Sequence, residues 1–95
     1  MHVITKKRLL EFTFRHQDCA SALTSWYRIV KRTDFSTFVE LRQTFPSADQ
    51  VGRLTVFNIG GNKARIIAAI HYNRRRIYIR HVLTHAEYDR GDWRE

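Results

Sequence analysis

The sequence predicts an α+β fold, with N-terminal helices packed on a twisted antiparallel β-sheet and a short C-terminal helical turn. Three observations predict it. Apolar residues recur at helical spacing in the first part of the chain; three runs rich in Val, Ile, Tyr and Phe follow Gly52; and both gaps between those runs carry hairpin-turn residues. With 95 residues, 43% of them hydrophobic, one small core is expected and the whole of 1–95 reads as a single domain.

The elements follow in order. Residues 2–5 alternate weakly and suit a short edge strand. Thr5 is placed as the N-cap of a helix through Arg15, with Leu9, Leu10, Phe12 and Phe14 as its apolar surface. Asp18 is placed as the cap of a second, stronger helix. There Cys19, Ala22, Leu23, Trp26 and Val30 form an apolar stripe while Ser21, Thr24, Arg28 and Lys31 stay polar. At that spacing Trp26 and Tyr27 read as core residues before base-stacking platforms. Ser36 or Thr37 caps a short helix through Thr44, the only proline, Pro46, prevents its continuation, and 47–50 reads as loop.

Runs 53–59, 63–72 and 76–84 then suit a pleated surface, and the turns Gly60-Gly61-Asn62 and Asn73-Arg74-Arg75 join them as an antiparallel meander. The middle run is apolar on both faces, Ile66, Ala68 and Ile70 on one and Ile67 and Ala69 on the other, which makes it central. Residues 85–89 form a closing helical turn before a polar tail.

Charge narrows the function. Seventeen Lys and Arg against nine Asp and Glu give +8, a balance that points to a polyanionic partner. Between Gln50 and Ala86 there is no acid, yet Arg53, Lys63, Arg65, Arg74, Arg75, Arg76 and Arg80 all fall there. A face charged only for solubility mixes signs, so this window reads as a phosphate-binding surface. A membrane surface is the weaker reading, because the window is extended and lacks an amphipathic helix. The lone Cys19 excludes a disulfide framework and a multi-Cys zinc site. No apolar run reaches membrane-span length, and the opening residues have no signal-peptide pattern. A reducing compartment is expected.

Strand register collects the basic residues. A first turn on Gly61-Asn62 puts Asn58 opposite Arg65. A second turn on Arg74-Arg75 puts Arg80 opposite Ala69 and Arg65 opposite Thr84. One face then carries Asn58, Arg65, His71, Arg76 and Arg80 around the small Ala69, and a one-residue slip would send Arg80 to the other side. Guanidinium groups bind phosphate through paired hydrogen bonds, which orients it as well as attracting it.

The candidate chemistry lies at Thr84-His85-Ala86-Glu87-Tyr88-Asp89. On a helical turn His85, Tyr88 and Asp89 share one side. RNA backbone cleavage needs a base for the ribose 2′-hydroxyl, an acid for the leaving 5′-oxygen and cations on the charged transition state. His85 and Tyr88 suit the proton transfers, and Arg65 and Arg80 the phosphate. No metal or other cofactor is expected, since Glu87 and Asp89 are the only carboxylates nearby. Cys19, on an apolar stripe, reads as an inert core residue. Gly60-Gly61-Asn62 reads as a hairpin turn, because no lysine–serine helix start follows it.

Several motifs in fixed order resemble the HigB family of toxins from bacterial toxin–antitoxin pairs, within the RelE-like superfamily. They are Met1-His2-Val3-Ile4-Thr5, Phe45-Pro46-Ser47, the run Val56-Phe57-Asn58-Ile59-Gly60-Gly61-Asn62-Lys63-Ala64-Arg65, Ile79-Arg80, and Thr84-His85-Ala86-Glu87-Tyr88-Asp89. The resemblance implies a RelE-like fold and a cytoplasmic bacterial mRNA endonuclease that works on translating ribosomes and is neutralised by a HigA-type antitoxin. It implies that Arg65 and Arg80 hold the phosphate, that His85 leads proton transfer with Tyr88 in support, and that Asn58 and Lys63 face RNA. Arg74, Arg75 and Arg76 depart from the family pattern and are placed as ribosomal RNA contacts. Two other readings stay open: a ParE-like gyrase poison on the same fold, which would damage DNA and leave message intact, and a non-catalytic RNA-binding module, which would never yield a cleavage product.

Overall fold

The computed structural model describes residues 1–94 and contains strand β1 (His2–Ile4), helices α1 (Lys7–Arg15), α2 (Ala20–Arg32) and α3 (Phe38–Thr44), strands β2 (Asp49–Val51), β3 (Leu54–Ile59), β4 (Ala64–His71) and β5 (Arg76–Thr84), and helix α4 (His85–Arg90). The strands form one five-stranded sheet in the order β1-β5-β4-β3-β2. β4 is central, as its two apolar faces require. The β2–β3, β3–β4 and β4–β5 pairs are antiparallel, but β1 runs parallel to β5, pairing His2 with Arg76 and Ile4 with Tyr78. The sheet is therefore mixed. A parallel neighbour needs a crossover, and here residues 5–75 lie between the two strands.

One sheet face carries the main core. Phe57, Ile59, Ala64, Ile66, Ala68, Ile77 and Ile79 pack there against Leu9 and Phe12 of α1 and Leu23, Trp26 and Val30 of α2. Trp26 is 2% exposed and meets Phe57 edge-on at 5.2 Å, so it is a core residue and not a base platform. Tyr27 lies partly buried with the Lys6 and Lys31 ammoniums 4.5 and 5.6 Å from its ring centre. The Met1 ammonium is buried at the end of α2, where it donates to the Val30 and Thr33 carbonyls at 2.8 Å and lies 3.1 Å from Asp34. A cation at a helix C-terminus offsets the partial negative charge of the last carbonyls. Among the described residues no helix is long and apolar enough to cross a membrane.

Local structure departs from the sequence reading in several places. Thr5 does not cap α1: its φ is 72°, not the extended backbone an N-cap needs, and Lys6 takes that position with no side-chain bond. Only Leu9 and Phe12 of α1 are buried, whereas Leu10 and Phe14 stand exposed. Asp18 does not cap α2 either. It lies in a 3₁₀ turn, Gln17–Cys19, and its carboxylate sits 3.8 Å from the Lys63 ammonium. Thr37 does cap α3, accepting from the Glu40 N–H. The stretch read as loop, 47–50, runs into β2, which returns to β3 through Gly52-Arg53 with Gly52 at φ 61°. The tail is not simply polar. Trp93, 4% exposed, joins Leu54, Val56 and Ile67 in a second cluster on the opposite sheet face.

Candidate active site

The face opposite the main core is built from alternate residues of each strand. Asn58 pairs with Arg65 as the first turn predicts, and Leu83 lies on the other side of Arg65. The β4–β5 register differs from the expected one. The chain turns through a 3₁₀ segment, Tyr72–Arg74, and a left-handed Arg75 (φ 55°), so that His71 faces Arg76 and Tyr78 faces Ala69. Without a glycine to mark it, a turn two residues wider than Arg74-Arg75 was invisible to composition. A bulge then intervenes between Ile67 and Ala68, with Arg80 the extra residue of β5, after which Ala64 faces Thr84. Arg65 is thus opposite Leu83, not Thr84, and Arg80 falls in the bulge and not opposite Ala69.

The bulge nevertheless keeps Arg80 on the Arg65 side of the sheet. Arg80 lines a depression of about 600 Å³ with Arg53, Leu54, Ala69 and His71. A bulge re-aims a side chain and adds local twist, which is how a register unlike the expected one still presents this arginine. Arg80 lies beyond the Ile67–His81 row from Arg65, so the two arginines occupy successive positions along the face.

Arg65 is held on several sides. It is 9% exposed. Its guanidinium donates to Asn58 Oδ1 at 3.0 Å, to Asn62 Oδ1 at 3.1 Å and to the Ala64 carbonyl at 3.2 Å. The two asparagines are themselves tied, Asn58 Nδ2 donating to Asn62 Oδ1 at 2.8 Å. Asn62 reaches this position from a left-handed backbone, φ 80°, in the turn after β3. The sequence reading gave it only a turn role, so its part in fixing Arg65 was missed. The Tyr88 ring lies 5.2 Å from the Arg65 guanidinium carbon, within range of a cation–π contact.

Helix α4 brings the remaining groups. Thr84 accepts from the Glu87 N–H at 3.2 Å while Glu87 accepts from the Thr84 N–H at 2.9 Å, a reciprocal capping box. Because Thr84 pairs with Ala64, this cap starts the helix one residue along β4 from Arg65. His85 Nδ1 lies 2.8 Å from Asp89 Oδ2, one helical turn on, and these side chains are 50% and 60% exposed. The site is open. A carboxylate on Nδ1 orients the imidazole and leaves Nε2 for proton exchange.

The Glu87 carboxyl is held below the usual carboxylate range, chiefly by the Thr84 backbone N–H, with smaller help from the Thr84 hydroxyl, Arg90 and Arg15 against the cost of burial. A depressed folded-state value gives stability that is present above the unfolded carboxyl's range and is lost as acid titrates through the folded one. Glu87→Ala, which removes the titrating acceptor of the Thr84 N–H, should therefore cost about 1 kcal/mol at neutral pH, and thermal melts of wild type and variant should converge as acid titrates the carboxyl. Parallel melting curves down to pH 3 would count against the box.

Other predicted site residues lie elsewhere. Lys63, in the first turn, points its ammonium toward Asp18 at 3.8 Å and so is drawn to the helical side. Arg74 and Arg75 lie in the turn before β5 and Arg76 begins the strand, and the Arg75 Nε lies 3.8 Å from Asp34. Arg76 and Thr84, the two ends of β5, are roughly 26 Å apart at ~3.3 Å per residue, and His85 lies one residue beyond Thr84. The three arginines cannot share a phosphate with His85.

Residues 19–91 match the HigB toxin family, described as the RelE-like toxic component of a toxin–antitoxin system. The chain is 40% identical over 93 residues to the mRNA interferase HigB of Escherichia coli O6:H1, which covers 95% of this chain and 90% of that protein. It is 34% identical over 92 residues to the mRNA interferase toxin HigB of Escherichia coli K12 and to the mRNA interferase HigB of Shigella flexneri, covering 94% of this chain and 88% of each.

Proposed function

The chain belongs to the HigB family of RelE-like toxins from toxin–antitoxin systems, and on that premise we propose that it is an mRNA interferase that cuts message on translating ribosomes. The observation that carries the reading is the pairing of an oriented His85–Asp89 couple with a buried, asparagine-held Arg65 at one end of a basic sheet face. In this reading the ribose 2′-oxygen attacks the neighbouring phosphorus as His85 Nε2 takes its proton. The bond to the 5′-oxygen breaks as the Tyr88 hydroxyl gives that oxygen a proton, leaving a 2′,3′-cyclic phosphate and a 5′-hydroxyl. Asp89 stabilises the imidazolium that forms. Arg65 stabilises the charge on the five-coordinate phosphorus, and Arg80 holds the backbone farther along the same face. Asn58 is an RNA-facing residue through its hold on Arg65.

An open site with few groups must obtain substrate orientation from elsewhere. The ribosome supplies it by presenting the message strained and in line, a contribution that can equal a large effective concentration. Arg74, Arg75 and Arg76, too far away to touch the scissile phosphate, are placed on ribosomal RNA. An antitoxin partner follows from the family, and a HigA-type antitoxin acting in the bacterial cytoplasm completes the reading. Purified protein should cut message on ribosomes at least ~10²-fold faster than the same RNA free in solution. Equal rates on both, read from labelled transcripts, would discard ribosome dependence.

A further inference from the structure

We propose that Trp93 is a positioning residue of this site, its indole holding the Tyr88 ring against the Arg65 guanidinium. The inference rests on the RNA-cleaving reading of the site. Three contacts lead to it. The Trp93 and Tyr88 rings stack with centroids 5.0 Å apart and planes 12° from parallel. The indole N–H donates to the Tyr88 carbonyl at 2.8 Å, fixing ring and backbone together. The Tyr88 ring in turn covers the Arg65 guanidinium at 5.2 Å.

The need for such a clamp follows from the size of α4. Six residues form too short a helix to hold its own side chains in place, since helices below ~12 residues are marginal without tertiary packing. The Thr84–Glu87 box secures only its first turn. Its other end is closed by Gly91, whose φ of 76° reverses the chain and returns Trp93 to the sheet. There the indole is buried against Leu54, Val56 and Ile67, on strands that are themselves fixed. Tyr88 is therefore braced from a rigid surface and not merely carried by a short helix. Arg65, already held by two asparagines, has one face covered by that ring.

The position can be tested by separating ring stacking from volume. Trp93→Leu keeps apolar bulk against Leu54, Val56 and Ile67 but offers no flat face to Tyr88, whereas Trp93→Phe keeps a face. Turnover on ribosome-bound message should fall ~10–100-fold in Trp93→Leu and stay within about 3-fold of wild type in Trp93→Phe, with KM for ribosomes within about 2-fold in both. The Tyr88 ring protons, shielded by the stacked indole, should move downfield in the NMR spectrum of Trp93→Leu. Trp93→Leu turning over as fast as Trp93→Phe overturns the proposal, and so do unmoved Tyr88 resonances in a folded Trp93→Leu protein. If the resonances shift but wild-type protein cuts no message, the positioning of Tyr88 by Trp93 stands and the RNA-cleaving reading is what fails.

Discussion

His85→Ala is expected to slow message cleavage on ribosomes by ~10²–10⁴-fold, the range produced by removing a general acid–base residue. The side chain is half-exposed and among the described residues its close polar partner is the exposed Asp89 at 2.8 Å, so truncation leaves no buried group unsatisfied. Stability and ribosome affinity should change little. The Thr84–Glu87 box that begins α4 uses neither His85 nor Asp89, and the helix should therefore persist in the variant. Mapping message 5′ ends after a short induction pulse, in wild type and His85→Ala, reads the effect directly. Full toxicity in the variant would move the role to Tyr88, because Lys63 is drawn toward Asp18 on the helical side.

The second large effect is expected at Arg65, where lysine should not substitute for arginine. Removing a guanidinium from developing charge on phosphorus should cost ~10³-fold in turnover or more. The cost in stability should be smaller, about 1–2 kcal/mol, because Asn58 and Asn62 keep bonds to each other when the arginine is gone. Arg65→Lys restores the charge but offers a single ammonium where the native fork reaches Asn58 Oδ1 and Asn62 Oδ1 with different nitrogens. It should recover less than about a tenth of wild-type turnover. Thermal melts run beside the cleavage assay separate the two effects. Near-wild-type cleavage by a folded Arg65→Ala protein would remove Arg65 from the chemistry.

What the sequence made legible was what glycine and periodicity mark. The Gly60-Gly61-Asn62 turn set the Asn58–Arg65 pairing, and the alternating apolar residues of β4 put it at the centre of the sheet. The stripe from Cys19 to Val30 identified the α2 face that is buried. The second hairpin was misread because its left-handed residue is an arginine, Arg75, and not a glycine. The bulge at Arg80 is equally unmarked, since an extra residue in a strand leaves composition unchanged. A three-residue edge strand such as β2 is too short for any period to register. Trp93 was missed for a related reason: one aromatic residue among charged neighbours has no periodicity, and only its burial against β3 and β4 reveals its place.

The parallel pairing of β1 with β5 bears on the order in which the protein can be built. Contacts between residues 2–4 and 76–78 are about as non-local as a chain of this size allows, and such contacts slow folding because a long loop must close first. During synthesis α1, α2 and α3 precede the strand that must insert between β1 and β4. A chain interrupted before residue 76 leaves β1 without its strand partner and β4 with one edge unpaired, a state open to proteolysis and aggregation. Such a fragment also lacks Arg80, His85 and Tyr88. An incomplete toxin is thus both unstable and without its proposed chemistry, so the topology itself spares the cell from truncated products.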